Sequence, residues 1–83
     1  MTREDIRAAI LAAIDAIAPG SVPGDLDGNA DIREAMDLDS MDILNVAAAL
    51  HTTLGVDIPE SELNQITTLN GAVGYLERRL GSG

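Results

Sequence analysis

Serine, histidine and clustered carboxylates are the side chains of this 83-residue chain whose types and spacing first suggest chemistry. Nucleophilic catalysis would have to pair Ser40 with His51, the single histidine. Eleven residues at 100° each put the two on nearly one helix face, but a rise of ~1.5 Å per residue separates their backbones by ~16 Å. A nucleophile and its base need ~3 Å. His51 therefore cannot activate Ser40, and no catalytic residue is assigned. A second candidate is Asp25-Leu26-Asp27-Gly28-Asn29-Ala30-Asp31, which has the look of a calcium loop. With Gly28 at the obligatory sixth position, Pro23 falls at position one, where a carboxylate is needed. Starting at Asp25 instead puts Ala30 at the glycine position and Met36 at the twelfth. The entering helix is also broken by Pro19-Gly20, so no metal site is assigned.

The third candidate is Asp37-Leu38-Asp39-Ser40-Met41-Asp42. Taken alone it is an ordinary helix start, since Asp or Ser satisfies free backbone N–H groups there. Its context is more informative. No cysteine is present, which removes disulfides, thiolate metal sites and the commonest strong nucleophile. Thioester chemistry would need a thiol from outside the chain. Fourteen acidic residues against five basic ones give a net charge of −9. Such a surface repels phosphate backbones, so no nucleic-acid partner is expected, and basic protein surfaces are favoured instead. Seven carboxylates lie between Asp25 and Asp42 against one cation, Arg33. No run approaches the ~20 apolar residues of a membrane span. Glu4 and Asp5 sit where a signal peptide needs positive charge, so a soluble, cytoplasmic protein is expected, and it is read as a monomer.

The elements that must position this motif read as all-α. A first helix begins after Thr2 and carries Ile6, Ala9, Ile10, Ala13, Ile14 and Ile17 at helical spacing until Pro19-Gly20 stops it. Residues 18–39 show neither helical nor strand periodicity, apart from a possible turn at Asp31–Ala35. So long a loop usually serves function or is disordered. A second main helix opens at Asp39 or Ser40 and ends at Leu54, with Gly55 as a left-handed stop. Its inward face is Ile43, Val46, Ala47, Leu50 and Leu54. Pro59 suits the first turn of a short helix over 59–65. Thr67 or Thr68 caps the last helix, which turns Leu69, Ala72, Val73, Leu76 and Leu80 inward. Residues 1–80 form one domain, and residues 81–83 are read as a flexible tail. The predicted architecture is a small four-helix bundle: three main helices, one short helix and a long loop after the first.

A Leu38-Asp39-Ser40-Met41-Asp42 segment opening a mid-chain amphipathic helix, in an acidic domain of this size without cysteine, resembles the acyl carrier protein family. The likeness continues through Leu50, Leu54-Gly55, Asp57-Ile58-Pro59 and Ile66-Thr67-Thr68. The resemblance implies that Ser40 carries a covalent 4′-phosphopantetheine arm taken from coenzyme A. The arm's thiol would hold acyl groups as thioesters. It also implies that Asp39 is a contact for the phosphopantetheinyl transferase, which typically uses magnesium. Acyl-loading and acyl-transferring enzymes are the implied further partners. The helix N-terminus suits a phosphodiester on physical grounds as well.

Two departures from the family pattern stand out. Asp37 replaces the motif's usual glycine. After Asp42 the second main helix has no carboxylate, and Asn45 and His51 stand where fatty-acid carriers usually have glutamates. The candidate partner interface is therefore Met41, Asp42, Leu44, Asn45 and Ala48, more apolar than usual. This points to a specialised carrier in secondary metabolism or lipid modification. An aminoacyl or peptidyl carrier loaded by an adenylating ligase is the alternative, and an unmodified interaction module is a rival of another class. Val46, Ala47, Leu50, Ile58, Leu63, Ile66, Ala72 and Leu76 are candidates to line an acyl site, and equally candidates for plain core.

Overall fold

The computed structural model describes residues 2–81. Three long helices enclose one aliphatic core: α1 (Arg3–Ile17), α3 (Ser40–Leu54) and α4 (Leu69–Gly81). Between them lie the single-turn α2 (Ile32–Ala35) and a 3-10 helix (Glu60–Ile66). Helix α1 packs against both α3 and α4, and the 3-10 helix lies across α3 and α4.

Each long helix begins where a side chain can take up its free N–H groups. Thr2 and Asp5 form a reciprocal capping box at the start of α1. Thr68 Oγ1 accepts the Gly71 N–H at 3.0 Å at the start of α4, so Thr68, of the two threonines, does the capping. Gly55 closes α3 at φ 73°, a conformation that costs a residue with a Cβ. The inward stripes are buried as their spacing requires, with Ile14, Leu50 and Leu76 at 0% exposure. Ala9, Ile17, Leu54 and Leu80 are only partly covered, because they lie at the edges of these stripes.

Three expectations need correction. The segment over 59–65 forms a 3-10 helix over Glu60–Ile66, and Pro59 precedes it in extended conformation instead of occupying its first turn. Gly81 is the last residue of α4, not tail, while Ser82 and Gly83 lie outside the described residues. The 18–39 segment has no periodicity, yet it is built into the core: Ile32, Met36 and Leu38 are buried, and Val22 and Leu26 pack against the same core. Its backbone is stapled to the approach and first turn of α4. The Ile32 N–H donates to the Thr67 carbonyl at 2.8 Å, and the Asn70 N–H to the Gly28 carbonyl at 2.9 Å. The Asn70 side chain also donates to Asn29. A Cβ at Gly28 would meet the Asn70 side chain at 2.5 Å, so a larger residue there would displace the Asn70 amide from Asn29.

This staple sets the path of the chain into α3. Asp31 caps α2, and the Leu38 N–H reaches back to the Arg33 carbonyl at 2.9 Å. That closure requires a left-handed residue, and Asp37 supplies it at φ 54°. The sequence therefore places an Asp in a conformation that favours glycine, among the non-glycine residues one of the few types that tolerate it.

Candidate functional site

Ser40 is the first residue of α3 and is exposed. Its position is held by a capping box that the sequence motif only suggested. Asp39 Oδ1 accepts the Asp42 N–H at 2.9 Å, and Asp42 Oδ2 accepts the Asp39 N–H at 3.1 Å. The Ile43 N–H is taken by the Asp39 carbonyl. Of the four orphan donors in the first turn, those of Ser40 and Met41 are left without a partner among the described residues. The result is a serine hydroxyl facing solvent beside two free N–H groups, at the positive end of a 15-residue helix.

Beside Ser40 lies a pocket of about 100 Å³ lined by Arg33, Ser40, Ile43, Leu63, Asn64 and Thr67. Its walls combine apolar side chains with amide, hydroxyl and guanidinium groups. Arg33 is bound edge-on by Asp31, with Nη2 to Oδ2 at 2.7 Å and Nε to Oδ1 at 3.1 Å. Those hydrogen bonds hold the Asp31 carboxyl below the usual carboxylate range. A network of side-chain bonds ties the 3-10 helix to α4. The buried Tyr75 hydroxyl donates to Glu62 at 2.6 Å, and Arg79 donates to Tyr75 and to the Asp57 carbonyl. The Arg79 guanidinium lies over the Tyr75 ring, 5.6 Å from its centre. Burial, and then the bond to Glu62, push the Tyr75 phenol above its ordinary value.

The predicted interface residues share one side of α3. Met41 is 61% exposed and Leu44 37%, with Asn45 and Ala48 also exposed. Asp42 differs: its carboxylate is turned back onto the Asp39 backbone. Further along, a groove of about 380 Å³ runs between α3 and the chain that follows it. Leu44, Asn45, Ala48 and His51 form one wall, and Asp57 and Ile58 the other. His51 is exposed on this face, as its helix position predicts.

Of the eight residues proposed as an acyl lining, only Leu63 borders the Ser40 pocket; Ala47 and Ile58 border the α3 groove. The others are core residues. Ile43 could have been found from its i, i+3 relation to Ser40. Arg33, Asn64 and Thr67 could not, because they reach the pocket from other segments.

The phosphopantetheine-attachment-site family model matches residues 7–76, with Ser40 near the middle of that span. The chain belongs to this family of carrier proteins. Its first 30%-level relative is an acyl carrier protein of Rubrobacter xylanophilus, 33% identical over 76 residues that cover 92% of this chain and 93% of that protein. A polyketide-8 synthase acyl carrier protein 2 of Streptomyces avermitilis is 38% identical over 53 residues, covering 64% and 61% of the two chains. A meromycolate extension acyl carrier protein of Mycobacterium bovis is 26% identical over 78 residues, 94% and 67% of the two. No solved structure matches the chain significantly.

The family's cofactor is 4′-phosphopantetheine, attached covalently from coenzyme A. The residues present fit such a group. An exposed serine hydroxyl can be esterified, free helix N–H groups favour the phosphodiester, and the adjoining pocket has both apolar and hydrogen-bonding walls. When bound, the group supplies the thiol that this cysteine-free chain lacks. None of the helices among the described residues is long and apolar enough to cross a membrane.

Proposed function

We propose that this carrier bears its phosphopantetheine on Ser40 and presents acyl thioesters to separate enzymes. The observation that carries this reading is the exposed Ser40 hydroxyl at the capped N-terminus of α3, with a pocket beside it. Attachment joins the Ser40 oxygen to the phosphate of the pantetheine arm as coenzyme A gives up its adenosine bisphosphate half. A phosphopantetheinyl transferase performs that step. In this chain Asp39 holds the serine at the helix start and is the proposed contact for the transferase. Acyl-loading and acyl-transferring enzymes, acting in the cytoplasm, are the remaining proposed partners.

The docking surface is the exposed side of α3, centred on Met41 and Leu44 and continued by Asn45 and Ala48. Asp42 is the only carboxylate within this helix and is held in the cap, so the exposed side from Met41 to Ala48 carries no acidic residue of its own beyond it. The reading is therefore a specialised carrier for a polyketide-like or lipid-modifying system. Relatives named for polyketide synthesis and meromycolate extension support it over an aminoacyl carrier.

The test is incubation with coenzyme A, magnesium and a broad-specificity phosphopantetheinyl transferase, read by intact mass. The chain should gain one phosphopantetheinyl group and Ser40→Ala none. Modification that survives the substitution would place the arm elsewhere, with Ser21 and Ser61 as the internal controls.

A further inference from the structure

The phosphodiester proposed for Ser40 would sit among negative charges. Asp39 precedes the serine, Asp42 lies in the same turn, and Asp37 closes the turn before it. Between Arg7 and Arg78 the chain contains a single cation, Arg33, and the fold places it on the wall of the pocket that Ser40 also lines. Seven residues of sequence separate the two. The left-handed Asp37 and the Leu38-to-Arg33 hydrogen bond turn the chain between them, and Arg33 and Ser40 come to line the same pocket.

The guanidinium is held in a definite state. Asp31 binds Nε and Nη2 and leaves Nη1 without a partner among the described residues. Arginine presents five N–H donors in a planar fork, so one edge can be fixed by a carboxylate while the other stays open to an anion. The Arg33 side chain is 48% exposed, so it is not sealed off from an incoming anion. In the same pocket Asn64 offers an amide, Thr67 offers a hydroxyl oxygen as acceptor because its proton goes to the Asn64 carbonyl, and Ile43 and Leu63 offer apolar surface. A lining of both polar and apolar groups suits a pantetheine chain, in which amide groups are separated by short apolar links.

The geometry points to Arg33 as the residue that binds the phosphodiester of the Ser40 arm and lays the pantetheine over the Ile43–Leu63–Thr67 pocket. This rests on Ser40 being the attachment residue. Asp31 is then a positioning residue, acting through Arg33. The arm in this carrier has a docked state at its root, and a partner enzyme must draw it out of the pocket to reach the thioester.

The experiment compares isotopically labelled apo and holo protein by nuclear magnetic resonance, after intact mass has established that Ser40 carries the group. In the native chain the Arg33 Nε–H resonance should move on attachment while those of Arg3, Arg7 and Arg78 stay in place. Nuclear Overhauser contacts should join the arm to Leu63 and Thr67. In Arg33→Gln those contacts should fall by at least half, and the phosphorus line should move to its position in urea-unfolded holo protein. Arg33→Lys should fall between the two. A modified Ser40 with an unresponsive Arg33 resonance, or arm contacts unchanged in Arg33→Gln, overturns the inference and leaves the Ser40 assignment standing. Failure of Ser40 to take up the group overturns both. The native-chain resonances decide the matter even if Arg33→Gln loses stability.

Discussion

Asp39→Ala removes the side chain that both starts α3 and holds Ser40 in its first turn. Two carboxylate-to-N–H hydrogen bonds, at 2.9 and 3.1 Å, depend on the Asp39 and Asp42 pair. Loss of an N-cap acceptor commonly costs about 1 kcal/mol, within a range of about 0.5–2. Loss of a negative charge at the positive end of a helix adds about 0.3–1 kcal/mol at an exposed site. Together these give a destabilisation of about 1–2 kcal/mol. A chain of this length has a total stability of roughly 4–12 kcal/mol at the usual value per residue. The variant should therefore fold, with a visibly lower urea midpoint and an unchanged slope. Asp39→Asn separates the two roles, because asparagine caps about as well as aspartate but carries no charge. It should lose only the charge contribution. If it nevertheless slows phosphopantetheine attachment as much as Asp39→Ala does, the carboxylate is a transferase contact in its own right. Matched urea titrations and mass-resolved attachment rates on the three proteins give both quantities. An Asp39→Ala midpoint equal to that of the native chain would refute the reasoning, since the capping box would then not hold the start of α3.

Leu50 has no exposed surface, so Leu50→Ala should cost about 2–5 kcal/mol and leave the domain marginal or unfolded by circular dichroism. Tyr75 is protonated in the fold above its ordinary pKa of about 10, so its contribution is fully present below that pH and is lost as pH rises through the raised value. Thermal melts between pH 7 and 11 should show this alkaline decline, and Tyr75→Phe should abolish it while costing about 1 kcal/mol at neutral pH through loss of the bond to Glu62. Met41→Ala or Leu44→Ala should slow transfer to a cognate enzyme more than added salt does, because buried interface anchors commonly cost about 2 kcal/mol or more and exposed ion pairs about 0–1. Transfer abolished by salt but indifferent to Met41 and Leu44 would show electrostatic docking.

Much of this protein is legible in one dimension. The 3.6-residue stripes of the long helices, the Thr2 and Asp39 caps and the Gly55 stop are local features, set by residues within a turn or two of each other, and they appear where the sequence puts them. The Asp39-Ser40 motif is local in the same sense. What only the tertiary structure decided is everything that joins distant segments. Residues 18–39 carry no period because their order comes from Ile32, Met36 and Leu38 filling a core built by other helices, and from hydrogen bonds to Thr67 and Asn70. The Tyr75–Glu62–Arg79 network and the pocket wall of Arg33, Asn64 and Thr67 likewise unite residues remote in the chain. Even Asp42, which reads as free interface charge, is committed to the Asp39 N–H once the helix start takes shape. Periodicity and capping report the geometry of a single element. A pocket wall assembled from α2, the 3-10 helix and the approach to α4 exists only when those elements pack.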